Sequence, residues 1–104
     1  MLPVTVDLHS TFKHYKKTFK ALSDEKRLHI LNLLANTPED SICVCDLMEE
    51  INLPQSKLSY HLKILLQANL IIQNKKGTWS YYSLNHTEIN NVLSEELCCL
   101  FRKN

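Results

Sequence analysis

From Leu8 to Leu65 the apolar residues of this chain recur with a helical period, and over residues 70–84 that period is lost. A spacing of three and four residues stacks side chains on one face of a helix, whereas alternation marks a strand. In residues 7 to 22, Leu8, Phe12, Tyr15, Phe19 and Leu22 follow one another at steps of four, three, four and three. Lysines 13, 16, 17 and 20 lie between them, which predicts an amphipathic first helix. Ser23 is placed to cap a second helix, with Asp24 and Glu25 in its first turn, where negative charge suits the helix dipole. Leu28, Ile30, Leu31, Leu33 and Leu34 give that helix a broad apolar face up to about Ala35. "NTPED" interrupts the pattern, and a short third helix is expected from Asp46 to Ile51. "NLP" ends it, and Pro54 suits the opening turn of a fourth helix, in which Leu58, Leu62 and Leu65 repeat at i, i+4 and i+7.

Leu70 to Asn74 and Thr78 to Leu84 are instead rich in β-branched and aromatic residues, with "NKKG" between them. This is a hairpin signal, and the one glycine of the chain falls where a positive φ is required. Asn85-His86-Thr87-Glu88 has the form of a capping box opening a last helix, whose apolar face uses Ile89, Val92, Leu93, Leu97, Leu100 and Phe101. The predicted order is four helices, a hairpin and a helix: a mainly α domain with a β-hairpin.

With 104 residues, 44% hydrophobic and 22% charged, the chain suits one globular domain with its own core. The opening "MLPVTVDLHS" lacks the basic flank and apolar run of a secretion signal. No stretch reaches the roughly 18 apolar residues that span a bilayer. The expected setting is cytoplasmic, away from membrane, where thiols stay reduced and closely spaced cysteines point to metal or redox chemistry. Net charge is only +1, but its distribution is uneven. Residues 51–87 hold Lys57, Lys63, Lys75 and Lys76 and no acidic residue. A purely basic block can bind a polyanion even in a nearly neutral chain.

The fourth helix lies inside that block. Its outward positions carry Gln55, Ser56, Lys57, Ser59, Tyr60 and Lys63. Small serines let a helix approach base edges, Gln55 can donate and accept there, and the lysines can neutralise phosphates. A short helix, a tight turn and such a helix form a helix-turn-helix candidate, and Lys75 and Lys76 at the hairpin tip suit a wing. His61 is the ambiguous position, able to contact phosphate or to pack; a structural role close to DNA is the expectation.

"FKALSDEKRLHILNLL", "ICVCDL", "LPQSKLSYHLKILLQANLI" and "KKGTWSYYSLN" occur in the order typical of the ArsR/SmtB family. The resemblance covers about residues 12–101. It implies a winged helix-turn-helix repressor, not an enzyme, that leaves its operator when a metal or metalloid binds. It further implies a single domain with an N-terminal arm (1–6), a recognition helix (55–67), a wing (70–84) and a C-terminal dimerisation helix (86–101). First and last helices would pair in a homodimer matched to palindromic double-stranded DNA. Pro54 stands where the family often has serine.

The remaining chemistry lies in four cysteines. On a regular helix Cys43 and Cys45 would diverge by about 200°, so shared ligation needs an extended or unwound segment at the helix start. A helix N-terminus also favours anions and should lower the thiol pKa there. "CVCDL" resembles the motif of the arsenic-sensing subgroup, which implies As(III) or Sb(III), or another soft metal ion, as inducer and no permanently bound cofactor. In that subgroup a third cysteine follows three residues later; here it is Met48, a neutral thioether. The N-terminal region offers His9 and His14 but no cysteine, so a four-thiolate site cannot be completed from it. Adjacent Cys98 and Cys99 are candidates for additional ligands, or small core fillers. The family's zinc site on the last helix is not expected: His86 and Glu88 are present, but Leu97 stands where a histidine is needed. A redox- or persulfide-responsive repressor of the same fold is the alternative.

Overall fold

A computed structural model describes residues 8–92. The first helix, α1 (Leu8–Leu22), meets α2 (Glu25–Asn36) at a tight corner. The residue that caps α2 is Asp24, not Ser23: its extended backbone lets Oδ1 accept from the backbone N–H of Lys26 at 2.8 Å and of Arg27 at 3.2 Å. Ser23 belongs to the end of α1, where its hydroxyl donates to the Lys20 carbonyl at 2.8 Å. A carboxylate is an equally good cap and lies one residue closer to the free N–H groups. The Asp24 carboxyl is held below its usual pKa. Partial burial pushes it up, but the Arg27 and Lys26 N–H bonds and the charge of Arg27 outweigh that.

Two residues, β1 (Ile42–Cys43), precede α3 (Val44–Ile51), which begins earlier than Asp46. Asn52 ends α3 in the left-handed region at φ 57°, its N–H bonding the Met48 carbonyl at 3.0 Å. After the turn comes α4 (Gln55–Gln67), with Pro54 as the residue just outside the helix. Its carbonyl takes the first intrahelical bond, from Leu58 N–H at 3.0 Å, and its missing N–H is not needed there.

The hairpin strands are β2 (Ile71–Lys76) and β3 (Trp79–Leu84), and α5 (His86–Val92) follows. Strand β2 runs two residues beyond the expected Asn74, so the loop is only Gly77-Thr78, with Lys76 paired to Trp79. Gly77 takes φ +66° as the first loop residue, as a two-residue hairpin with glycine there requires. Sequence periodicity missed β1, which adds a third strand antiparallel to β3 in the order β1-β3-β2, pairing Ile42 with Tyr82 and Cys43 with Tyr81. Two residues are too few to show a period.

One core joins these elements. Ile30, Leu31, Leu47, Leu58, Leu65, Leu70 and Ile89 are fully buried, with Leu62 and Ile71 nearly so. Each such side chain contributes roughly 1.5–3 kcal/mol by leaving water. The stripe that α2 buries is Arg27, Ile30, Leu31, Leu34 and Ala35; Leu28, expected inside, is 37% exposed. Asn85 caps α5 through Oδ1, which accepts from Glu88 N–H at 3.3 Å. The box does not close: Asn85 N–H bonds the Leu70 carbonyl, and the Glu88 carboxylate turns to His14 Nε2 at 3.0 Å. Leu93, Leu97, Cys98, Cys99, Leu100 and Phe101, like the arm 1–6, lie outside the described residues. Among those described, no helix is long and apolar enough to cross a membrane.

Candidate nucleic-acid interface and thiol pair

Burying Leu58, Leu62 and Leu65 turns the opposite side of α4 outward. Gln55, Ser56, Lys57, Ser59, Tyr60 and Lys63 are all exposed, as their spacing requires. Lys75 and Lys76 are exposed at the end of β2, beside the tip and not on it. Alternation puts them on opposite faces of the hairpin. Lys76 Nζ sits 5.0 Å above the Tyr81 ring, a cation–π contact that holds it on the outer face. On the inner face the Gln73 amide donates to Ser80 Oγ at 3.2 Å and to the Tyr82 hydroxyl at 3.1 Å, stiffening the hairpin.

His61 differs from its neighbours on α4. It is half-buried, and its Nδ1 lies 3.0 Å from Nη1 of Arg27. Arg27 is itself only 6% exposed; its Nε donates to the Ala21 carbonyl at 2.7 Å and Nη2 to that of Lys20 at 3.2 Å. His61, expected among the DNA-contacting residues with a structural role close to DNA, is turned inward to Arg27. Sequence reasoning did not single out Arg27. The signal was present, since Arg27 falls on the same helical stripe as Ile30, Leu31 and Leu34.

The two cysteines stand at the start of α3. Cys43 is extended, at φ −66° and ψ 145°, and is the last residue of β1. Cys45 is the second residue of the helix, so the required break in regular helix geometry falls between the two. Cys43 caps α3 with sulfur: its Sγ accepts from Cys45 N–H at 3.4 Å. Cys43 is buried and Cys45 exposed. The Cys45 thiol pKa is raised, contrary to the expectation from its place at a helix start. Hydrogen bonding to Cys43 is the largest cause, followed by desolvation and the charges of Cys43 and Asp46; the Asp46 N–H opposes them. A thiolate at Cys45 would stand beside the Cys43 sulfur and the Asp46 carboxylate, which disfavours the charged form. Met48 is partly buried against the core. Among the described residues no group of three or more His, Cys, Asp or Glu side chains is placed to hold a metal ion.

A three-residue turn ahead of a polar, acid-free helix, with a lysine-bearing hairpin beside it, defines a winged helix-turn-helix DNA-binding domain. Residues 24–73 match the family described as bacterial regulatory protein, arsR family. The arsenical resistance operon repressor of Bacillus subtilis (strain 168) is 59% identical over 91 residues, which are 88% of this chain and 85% of that protein. Among solved structures, NolR from Sinorhizobium fredii is similar with a TM-score of 0.67 and 26% identity, over 96% of this chain and 89% of that one. A Mycobacterium bovis domain described as homodimeric and winged helix-turn-helix has a TM-score of 0.71 at 23% identity, covering 96% and 83%, a likeness of fold. The chain belongs to the arsR family: it is a helix-turn-helix transcriptional regulator and not an enzyme.

Proposed function

We propose that this regulator represses a metalloid-resistance operon as a homodimer on palindromic DNA, and that arsenite or antimonite releases it by binding Cys43 and Cys45. The observation that carries this reading is the sulfur cap: Cys43 Sγ both starts α3 and lies beside Cys45. The name borne by the Bacillus subtilis relative supports the inducer class. The exposed aromatics of α1 support a dimer, with Phe12 65%, Tyr15 38% and Phe19 59% exposed.

Arsenite suits protonated thiols. Each sulfur–arsenic bond forms as one arsenic–hydroxyl bond breaks, the thiol proton leaving with that hydroxyl as water. Engaging Cys43 Sγ fixes the direction of its lone pairs and so reorients its bond from Cys45 N–H, and drawing Cys45 to the same ligand rebuilds the first turn of α3. Two connections carry that change outward. Asn52-Leu53-Pro54 joins α3 to α4, and Cys43 pairs with Tyr81 in the wing strand β3. DNA contact is assigned to Gln55, Ser56, Lys57, Ser59, Tyr60, Lys63, Lys75 and Lys76. X-ray absorption at the arsenic edge of the arsenite-loaded full chain tests the site. Sulfur neighbours are expected, lost in Cys43→Ser/Cys45→Ser; an all-oxygen shell overturns the assignment. Comparing Cys98→Ser/Cys99→Ser shows whether that pair supplies the third donor.

The exposed Cys45 thiol also fits a redox or persulfide signal. Oxidation-sensing thiols work best with a lowered pKa, however, and this one is raised. Release of DNA by peroxide or persulfide with no metalloid present would favour that second reading.

A further inference from the structure

Arg27 is buried, charged and far in sequence from the thiol pair, and the release mechanism leaves it unused. Its guanidinium gathers three elements at one point. Nε and Nη2 hold the Ala21 and Lys20 carbonyls at the end of α1, its own backbone N–H is capped by Asp24 Oδ1, and Nη1 reaches His61 on α4. Among the described residues no buried side-chain nitrogen or oxygen lacks a partner. Arginine can only donate, so His61 Nδ1 must accept, which puts the ring proton on Nε2.

We propose that Arg27 and the imidazole of His61 form a latch that sets the angle of α4 against the α1–α2 corner, so that DNA affinity depends on the hydrogen bond between them. Both are positioning residues: His61 is on the DNA-reading helix but turned inward, while Lys57 and Tyr60 beside it face outward. The Tyr60 ring meets the imidazole edge-on at 5.4 Å between centroids, on the side away from the core.

The inference rests on α4 being the helix that reads DNA, and the test separates the two. The full chain is used with a fluorescent duplex that the protein itself selects from a random pool, and affinity is read by anisotropy at pH 8. His61→Asn offers an acceptor oxygen where Nδ1 stood, so it should bind nearly as well as wild type. His61→Ala, which leaves Nη1 without an acceptor, should lose about tenfold in affinity, the scale of one hydrogen bond to a charged group, while circular dichroism shows the helices intact. Wild-type affinity in His61→Ala, or an equal loss in His61→Asn and His61→Ala, overturns the latch. Lys57→Ala is the control: if it binds like wild type at low salt, the assignment of α4 has failed, whatever the histidine variants do.

Discussion

Helices α1 and α4 are both amphipathic, but they spend their apolar faces differently. In α4, Leu58, Leu62 and Leu65 are 0–2% exposed and the polar face is left free. In α1 the aromatic stripe Phe12, Tyr15, Phe19 stays largely in solvent, and the residues that meet the protomer are the small Thr18 and Ala21. Periodicity reports that a helix has a face to bury; it does not report which chain buries it. The helix satisfied within its own protomer is free to offer polar groups to DNA. The unsatisfied one is suited to a second copy.

Substitutions on the two faces should separate these roles. Leu62→Ala opens a cavity in the core and should destabilise the protein by about 2–5 kcal/mol in urea denaturation. A loss below about 1 kcal/mol would mean that α4 is not anchored by this face. Phe19→Glu should leave the protomer folded and weaken self-association by about 30-fold or more, as for loss of an interfacial aromatic anchor of about 2 kcal/mol. Sedimentation velocity across a concentration series reads this, and unchanged association would detach the α1 face from any dimer. The smallest effect belongs to the corner that α1 and α2 share. Asp24→Ala removes the α2 cap and should lower stability by about 1 kcal/mol. Because the folded-state pKa of Asp24 is lowered, the charged cap stabilises at neutral pH and its contribution fades as pH falls below about 4. Thermal melts of wild type and variant should therefore converge in acid; a constant gap between them would assign the effect to something other than the carboxylate.

Much of this organisation was legible from residue order alone. The bounds of α4 follow from Pro54 and the leucine spacing, and the turn at Gly77 from the one residue that takes positive φ without strain. That shared ligation by Cys43 and Cys45 needs a break in the helix followed from its 100° step, and Cys43 is extended. What escaped the sequence depends on partners distant along the chain. Strand β1 exists only because β3 lies beside it. Arg27 is buried only because α4 brings His61 to it across 34 residues, and arginine seldom reads as a core residue. The direction of the Cys45 shift was hidden because a neighbouring sulfur outweighs the helix start.

In the proposed function the sulfur cap of α3 is the switch for the DNA-reading helix. Fluorescence anisotropy of the full chain on its selected duplex, titrated with arsenite under reducing conditions, tests it most directly. Wild-type protein should leave the DNA, and Cys43→Ser/Cys45→Ser should remain bound at the same arsenite concentration. Release of the double variant by arsenite, or retention of the wild type, would contradict it.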